Sequence, residues 1–180
     1  MDQSTENVTL LAVFLKDVIS QVANAGVDTQ PLAAIYQGHD LSNPYKHVPI
    51  DIYNKMCDWV EKTLGQDGVV QVGRKIGETV FQGLVENFII SEDSSPKEIM
   101  EGLIIAASSM VSDPKGRGWI LVESNSKSLL MKRTQNFHSR LQLGLLCGLI
   151  EQSGKTGVSV TYEKSLEKGD EFDEYRVSWQ

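Results

Sequence analysis

The segment Leu143-Gly144-Leu145-Leu146-Cys147-Gly148-Leu149-Ile150 constrains this 180-residue chain more than any other, because it carries no polar side chain. It is far shorter than the roughly 20 residues needed to cross a bilayer. A helix that is apolar all round must be enclosed by protein on every side. The chain therefore needs one layer in front of this helix and another behind it. Gly144 and Gly148, four residues apart, share one helix face and predict a close backbone approach there. Cys147 lies inside the apolar run, and Cys57 precedes Asp58, so both read as inert thiols.

The layers are sought on either side of that helix. From Val8, the positions Leu11, Phe14, Leu15, Val18, Ile19 and Val22 recur at helical spacing, with Gly26 as a stop. Pro31 to Tyr36 reads as a further short helix, and Gly38 to Pro49 as a loop with an Asn43-Pro44 turn. Pro49 suits a first helical turn, followed by the periodic positions Ile52, Tyr53, Met56, Trp59, Val60 and Leu64. Gly65-Gln66-Asp67-Gly68 interrupts, and periodicity resumes through Val69, Val72, Ile76, Val80 and Leu84. Ser95-Pro96-Lys97-Glu98 is a capping box opening a helix that runs to about Val111.

Beyond Asp113-Pro114 the pattern changes. Trp119 to Val122 and Leu129 to Thr134 read as a hairpin, and Asn136 as the cap of the central helix. Val158, Val160 and Tyr162, then Tyr175, Val177 and Trp179, alternate as two more strands. The expectation is an α+β fold in a single domain spanning 1–180. Its helical part, 1–112, packs on the four-stranded antiparallel sheet of a ββαββ part, 113–180, with the central helix buried between.

The Gly118-Trp119 entry, the glycine-bearing helix Leu141 to Ile150, and Val158-x-Val160-x-x-Glu163 ahead of Gly169-Asp170 carry a resemblance. This stretch resembles the superfamily of haem–nitric-oxide-binding sensors, 4-vinyl-reductase-type small-molecule-binding domains and TRAPP transport subunits. The resemblance implies either a sensory ligand-binding module or an assembly module. The cysteines that bind metal near the last hairpin of the 4-vinyl-reductase type are missing here, which disfavours zinc. The sensors' Tyr-x-Ser-x-Arg motif is missing as well, since Tyr175-Arg176-Val177-Ser178 has the wrong order. The expectation is therefore that no cofactor is held, haem included. Val48-Pro49-Ile50 through Gly77 also resembles part of the sensing domain of AraC-type regulators, but no DNA-reading helix-turn-helix follows it.

Seventeen basic residues against twenty-four acidic give a net charge of −7, which argues against a nucleic-acid-backbone or anionic-membrane binder. The polar start Met1 to Glu6 lacks the features of a secretory signal, and a cytoplasmic location is expected. His39 and His47, with Asp40, match no metal-ligand spacing and read as loop histidines. No serine sits in a nucleophile elbow, and Lys115-Gly116-Arg117-Gly118 lacks P-loop spacing. Residues 115–140 hold Lys115, Arg117, Lys127, Lys132, Arg133 and Arg140 against Glu123 alone, while the last hairpin is acidic. Cross-strand pairing of these charges is favoured over a basic binding surface.

No catalytic constellation emerges, so a non-enzymatic sensory or regulatory module is expected. It would bind a small, largely apolar ligand between the central helix, the sheet and the N-terminal helices. Phe81, Trp119, His138, Leu145 and Tyr162 are the candidate lining. The alternative is a protein–protein assembly module that forms a homodimer without a small ligand.

Overall fold

The computed structural model describes residues 4–180; Met1 to Gln3, part of the polar start read above, lie outside the described residues. The chain opens with a strand, β1 (Thr9–Leu11), where helical periodicity had suggested a helix from Val8. β1 pairs antiparallel with β2 (His47–Pro49) and with β3 (Val111–Ser112), in the order β2-β1-β3. These three strands are too short for alternation to register in the sequence, so tertiary pairing overrides the local pattern. Between them come α1 (Val13–Asn24), α2 (Gln30–Ile35) and α3 (Ile50–Glu86).

At Gly65 α3 kinks, with φ at +78°, a backbone that glycine adopts without strain. The expected interruption is thus a bend inside one long element. Ser95 caps α4 (Pro96–Met110): its hydroxyl accepts from the Glu98 amide, and the Glu98 carboxylate accepts from the Ser95 amide at 2.7 Å.

The second half contains β4 (Trp119–Ser124), β5 (Ser128–Arg133), α5 (Ser139–Glu151), β6 (Ser159–Lys164) and β7 (Asp173–Ser178). The four strands form one antiparallel sheet in the order β4-β5-β7-β6. α5 starts at Ser139 behind a His138 cap, later than the Asn136 cap expected. Arg133 explains the delay. Its guanidinium hydrogen-bonds the carbonyls of Gln135 and Phe137, which holds this stretch out of helical geometry.

α5 lies against β6 and β7 on one side and along α3 on the other. Its small residues set that spacing. A Cβ added at Gly144 would sit 2.6 Å from the Arg74 amide nitrogen, and one at Gly148 2.9 Å from the Arg74 carbonyl carbon. Gly73 and Gly77 of α3 face the α5 backbone equally tightly, the second within 2.9 Å of the Leu149 nitrogen. The expected close approach is therefore a four-glycine contact, with two glycines from each helix. α1 packs on α3, and α4 lies against β4 of the four-stranded sheet. No helix among the described residues is long and apolar enough to cross a membrane.

Candidate functional site

α4 and β4 meet incompletely. A cleft of about 260 Å³ lies between them, walled by apolar groups of Ile104, Ala107, Val111, Trp119, Ile120 and Phe137. Ridges on a helix and a strand edge leave such a gap when the facing residues are as small as Ala107. One end of the cleft is polar. The Arg117 Nε donates to Asp113 at 2.6 Å, and the Gln135 side-chain amide donates to the same carboxylate oxygen at 2.7 Å. Burial alone would push the Asp113 carboxyl up. The hydrogen bonds from Arg117, from the Lys115 backbone and from Gln135 outweigh it and hold the carboxyl below its usual value. The site is thus a largely apolar slot whose Arg117 and Gln135 side chains are held in place by one carboxylate.

The Trp119 ring lies 5.7 Å from that of Tyr175, part of a buried polar network that joins the sheet to the start of α5. Arg133, only 2% exposed, is ion-paired with the fully buried Asp173. The Asp173 carboxylate also accepts from Ser139 Oγ at 2.8 Å and from the Leu166 amide at 2.8 Å. Burial opposes the charge on Asp173, but Arg133 and these donors prevail and lower its pKa. The Tyr175 and Tyr162 hydroxyls complete the network around Ser139, at 3.2 and 2.8 Å. Every member has a partner, as a buried polar cluster requires.

His138 caps α5 through Nδ1, which accepts from the Leu141 amide at 3.3 Å, while Nε2 lies 2.9 Å from Glu61. An accepting Nδ1 carries no proton, so Nε2 donates to Glu61 and the ring is neutral. Burial lowers the His138 pKa, and the nearby Glu61 and Asp58 only partly offset that. The unfolded ring titrates near 6.5, so the stability of the neutral cap is present above that pH. It is lost as pH falls through the lower folded value. Losing a cap costs about 1 kcal/mol, or roughly 2–4 °C of Tm in a chain of this size. Asn at this position keeps a capping acceptor without titrating. We predict that between pH 7 and 5 the wild type loses about that much more Tm than His138→Asn, measured by circular dichroism.

The five residues proposed from the sequence separate into three places. Trp119 lines the cleft. His138 and Tyr162 flank Ser139 in the polar region, with the Tyr162 ring 5.3 Å from that of Tyr175. Phe81 and Leu145 are buried on α3 and α5 in the main core. Sequence reasoning missed Ala107, Gln135 and Phe137 in the cleft, along with the Arg133–Asp173 pair. Arg133, on the same alternating face as the apolar Leu129 and Met131, was the available signal for that pair, and it stands in direct register with Asp173.

The basic 115–140 stretch is largely consumed by pairing. Arg140 bonds Glu61 at 2.8 Å and Glu167 at 2.6 Å, besides the Arg133–Asp173 pair. His47 lies on β2, its Nδ1 3.0 Å from the Thr9 hydroxyl. Among the described residues, no three of His, Cys, Asp and Glu are grouped to hold a metal ion. Burial raises the pKa of both thiols, that of Cys147 to about 11, so neither is a thiolate at neutral pH.

No known family profile and no curated protein matches this sequence. Solved structures do match. An H-NOX protein from S. oneidensis in the Fe(II)NO ligation state aligns with a TM-score of 0.73 at 11% identity, over 95% of this chain and 99% of that one. A structure from work on haem distortion in the H-NOX family gives 0.66 at 15% identity, over 95% of each chain. An oxygen-binding H-NOX domain related to soluble guanylate cyclases, in its oxygen complex, gives 0.62 at 12% identity, again over 95% of each.

These matches overturn the expectation that no cofactor is held and that haem is disfavoured, because solved chains of this fold are described with iron and haem. The physical reason is that a linear motif is a poor guide in this fold. The α4–β4 cleft itself is lined by none of the His, Cys, Met or Tyr side chains that ligate haem iron. Its residues do not fit that group. What the comparisons do show is the architecture: this chain has the H-NOX fold, as its C-terminal resemblance implied.

Proposed function

We propose that the chain is a sensory or regulatory module that takes a compact, largely apolar ligand in the cleft between α4 and β4. The cleft carries this reading, with its apolar walls and the lining side chains of Arg117 and Gln135, which the Asp113 carboxylate holds in place. At 260 Å³ it falls just under the roughly 300 Å³ at which pockets for drug-sized ligands begin, so its occupant is small. The shared fold supports the reading by analogy, since H-NOX chains have been solved in NO and oxygen complexes. Of the residues proposed from the sequence, Trp119 belongs to this site.

Ala107→Phe fills the slot from the α4 side. Native mass spectrometry of the purified chain is expected to show a co-purified small molecule that Ala107→Phe loses. An absorption spectrum identifies the adduct's class. An adduct retained in full by the variant, or none in either protein, contradicts the proposal.

A further inference from the structure

The end of α3 closes with a paired hydrogen-bond motif: the Ile89 amide donates to the Leu84 carbonyl at 2.9 Å, and the Phe88 amide to that of Val85 at 3.0 Å. This places Phe88 at the left-handed position, φ +57°, that glycine usually occupies. A phenylalanine there strains the backbone, and at 94% exposure its ring packs on nothing that repays the strain. The fold alone would prefer glycine. Local choices that oppose the fold mark function more often than stability.

Phe88 stands beside a surface groove of about 480 Å³ whose apolar part is formed with Ile89, Gly102 and Ile105. Ile105 is itself 58% exposed. Gly102 has no side chain, and the Ile90 and Ile89 methyls pack onto it, within 2.7 and 3.4 Å of where its Cβ would lie. The surroundings are acidic: residues 86–101 contain Glu86, Glu92, Asp93, Glu98 and Glu101 against Lys97 alone. Lys97 is turned toward Glu101 at 3.6 Å.

We propose that this groove is a docking surface for a basic amphipathic segment of a partner protein, whose apolar side chain seats against Phe88 and Ile105 while its Lys and Arg residues meet the acidic rim. Charge selects this occupant. A second copy docking by a two-fold axis would bring the acidic rim against itself. An anionic lipid surface would be repelled in the same way. α4 supplies both Gly102 and Ile105 to the groove and Ile104 and Ala107 to the cleft. A partner on one face and a ligand on the other therefore share one helix, although the groove stands without the cleft.

The test uses the whole chain and a short fluorescein-labelled amphipathic peptide of Leu and Lys, read by anisotropy. The peptide is expected to bind the wild type, to weaken with salt, and to lose about tenfold in affinity with Phe88→Gly or Ile105→Asp. Phe88→Gly is expected to keep or raise the Tm, because glycine suits the left-handed position, so lost binding is not lost folding. The matching peptide of Leu and Glu is expected not to bind. The proposal is overturned by no binding of the Leu/Lys peptide, by wild-type affinity retained in both variants, by equal binding of the Leu/Glu peptide, or by capture by phosphatidylserine vesicles that Phe88→Gly abolishes. A concentration-dependent dimer that Phe88→Gly dissociates also overturns it, in favour of a second copy.

Discussion

Gly144→Ala is expected to lower the Tm of this chain by about 6–12 °C, corresponding to roughly 3 kcal/mol. On helix propensity alone the substitution should help, since alanine is favoured over glycine by about 1 kcal/mol in a helix interior. Packing decides otherwise. The new methyl carbon would fall on the Val70 carbonyl oxygen and 2.6 Å from the Arg74 nitrogen. Both are backbone atoms of α3, so no side chain can rotate away, and the two helices must separate along their contact. Gly148→Ala meets the Arg74 carbonyl in the same way, and the double substitution is expected to prevent folding. Gly83→Ala is the control: on the same α3, with nothing within 4 Å of the added carbon, it is expected to be neutral or stabilising. Thermal melts of the three single variants settle the order. Equal Tm values for Gly144→Ala and Gly83→Ala would contradict the close-contact account.

Asp173→Asn has a comparable expected effect with a different cause. It removes the charge facing Arg133, which is buried and has no solvent to replace it. Breaking a buried pair from one side costs about 3–5 kcal/mol, whereas replacing both partners with apolar residues costs far less. Arg133→Met combined with Asp173→Leu is therefore expected to be more stable than Asp173→Asn alone. The pair also sets acid behaviour. The Asp173 carboxyl, opposed by burial but held by Arg133, titrates below its usual 3.8 in the folded chain. Its contribution is present in full above that pH and is lost as pH falls through the folded value. Acid unfolding of the wild type should therefore steepen below about pH 4, and the apolar double variant should lack that component. A double variant less stable than Asp173→Asn would show that the pair contributes through more than charge balance.

Much of the architecture was legible because it rests on local signals. The capping box at Ser95 to Glu98, the alternating residues of β6 and β7, and the all-apolar α5 each state their environment within a few residues. What escaped was assembled over distance. β1 and β2 are three residues each, and their pairing joins Thr9 to Pro49 across two intervening helices, with no alternation in strands so short. The partners of Gly144 and Gly148 are Gly73 and Gly77, which helical periodicity places on α3 without indicating what they face. The α5 cap fell at His138 because Arg133, in the preceding strand, holds the intervening carbonyls.

The site was less legible than the fold for the same reason. Trp119 drew attention as an aromatic at a strand entry. Ala107 and Gln135 carry no signal in isolation, because a small residue and an amide become a cleft wall only when α4 meets β4. The candidate ligand position consequently moved from the α5 junction, where a satisfied polar network lies, to the neighbouring contact of α4 with the sheet edge.

The central claim is that this α4–β4 contact accepts a small apolar molecule, and xenon is a direct probe of it, since apolar cavities bind it. The chain has three tryptophans, Trp59, Trp119 and Trp179, each of which gives one fluorine resonance when labelled as 5-fluorotryptophan. Under xenon pressure, the account predicts a saturable shift of the Trp119 resonance with Trp59 and Trp179 unmoved, and loss of that shift in Ala107→Phe. A Trp119 resonance that stays fixed while another moves, or a shift that Ala107→Phe leaves intact, would contradict it.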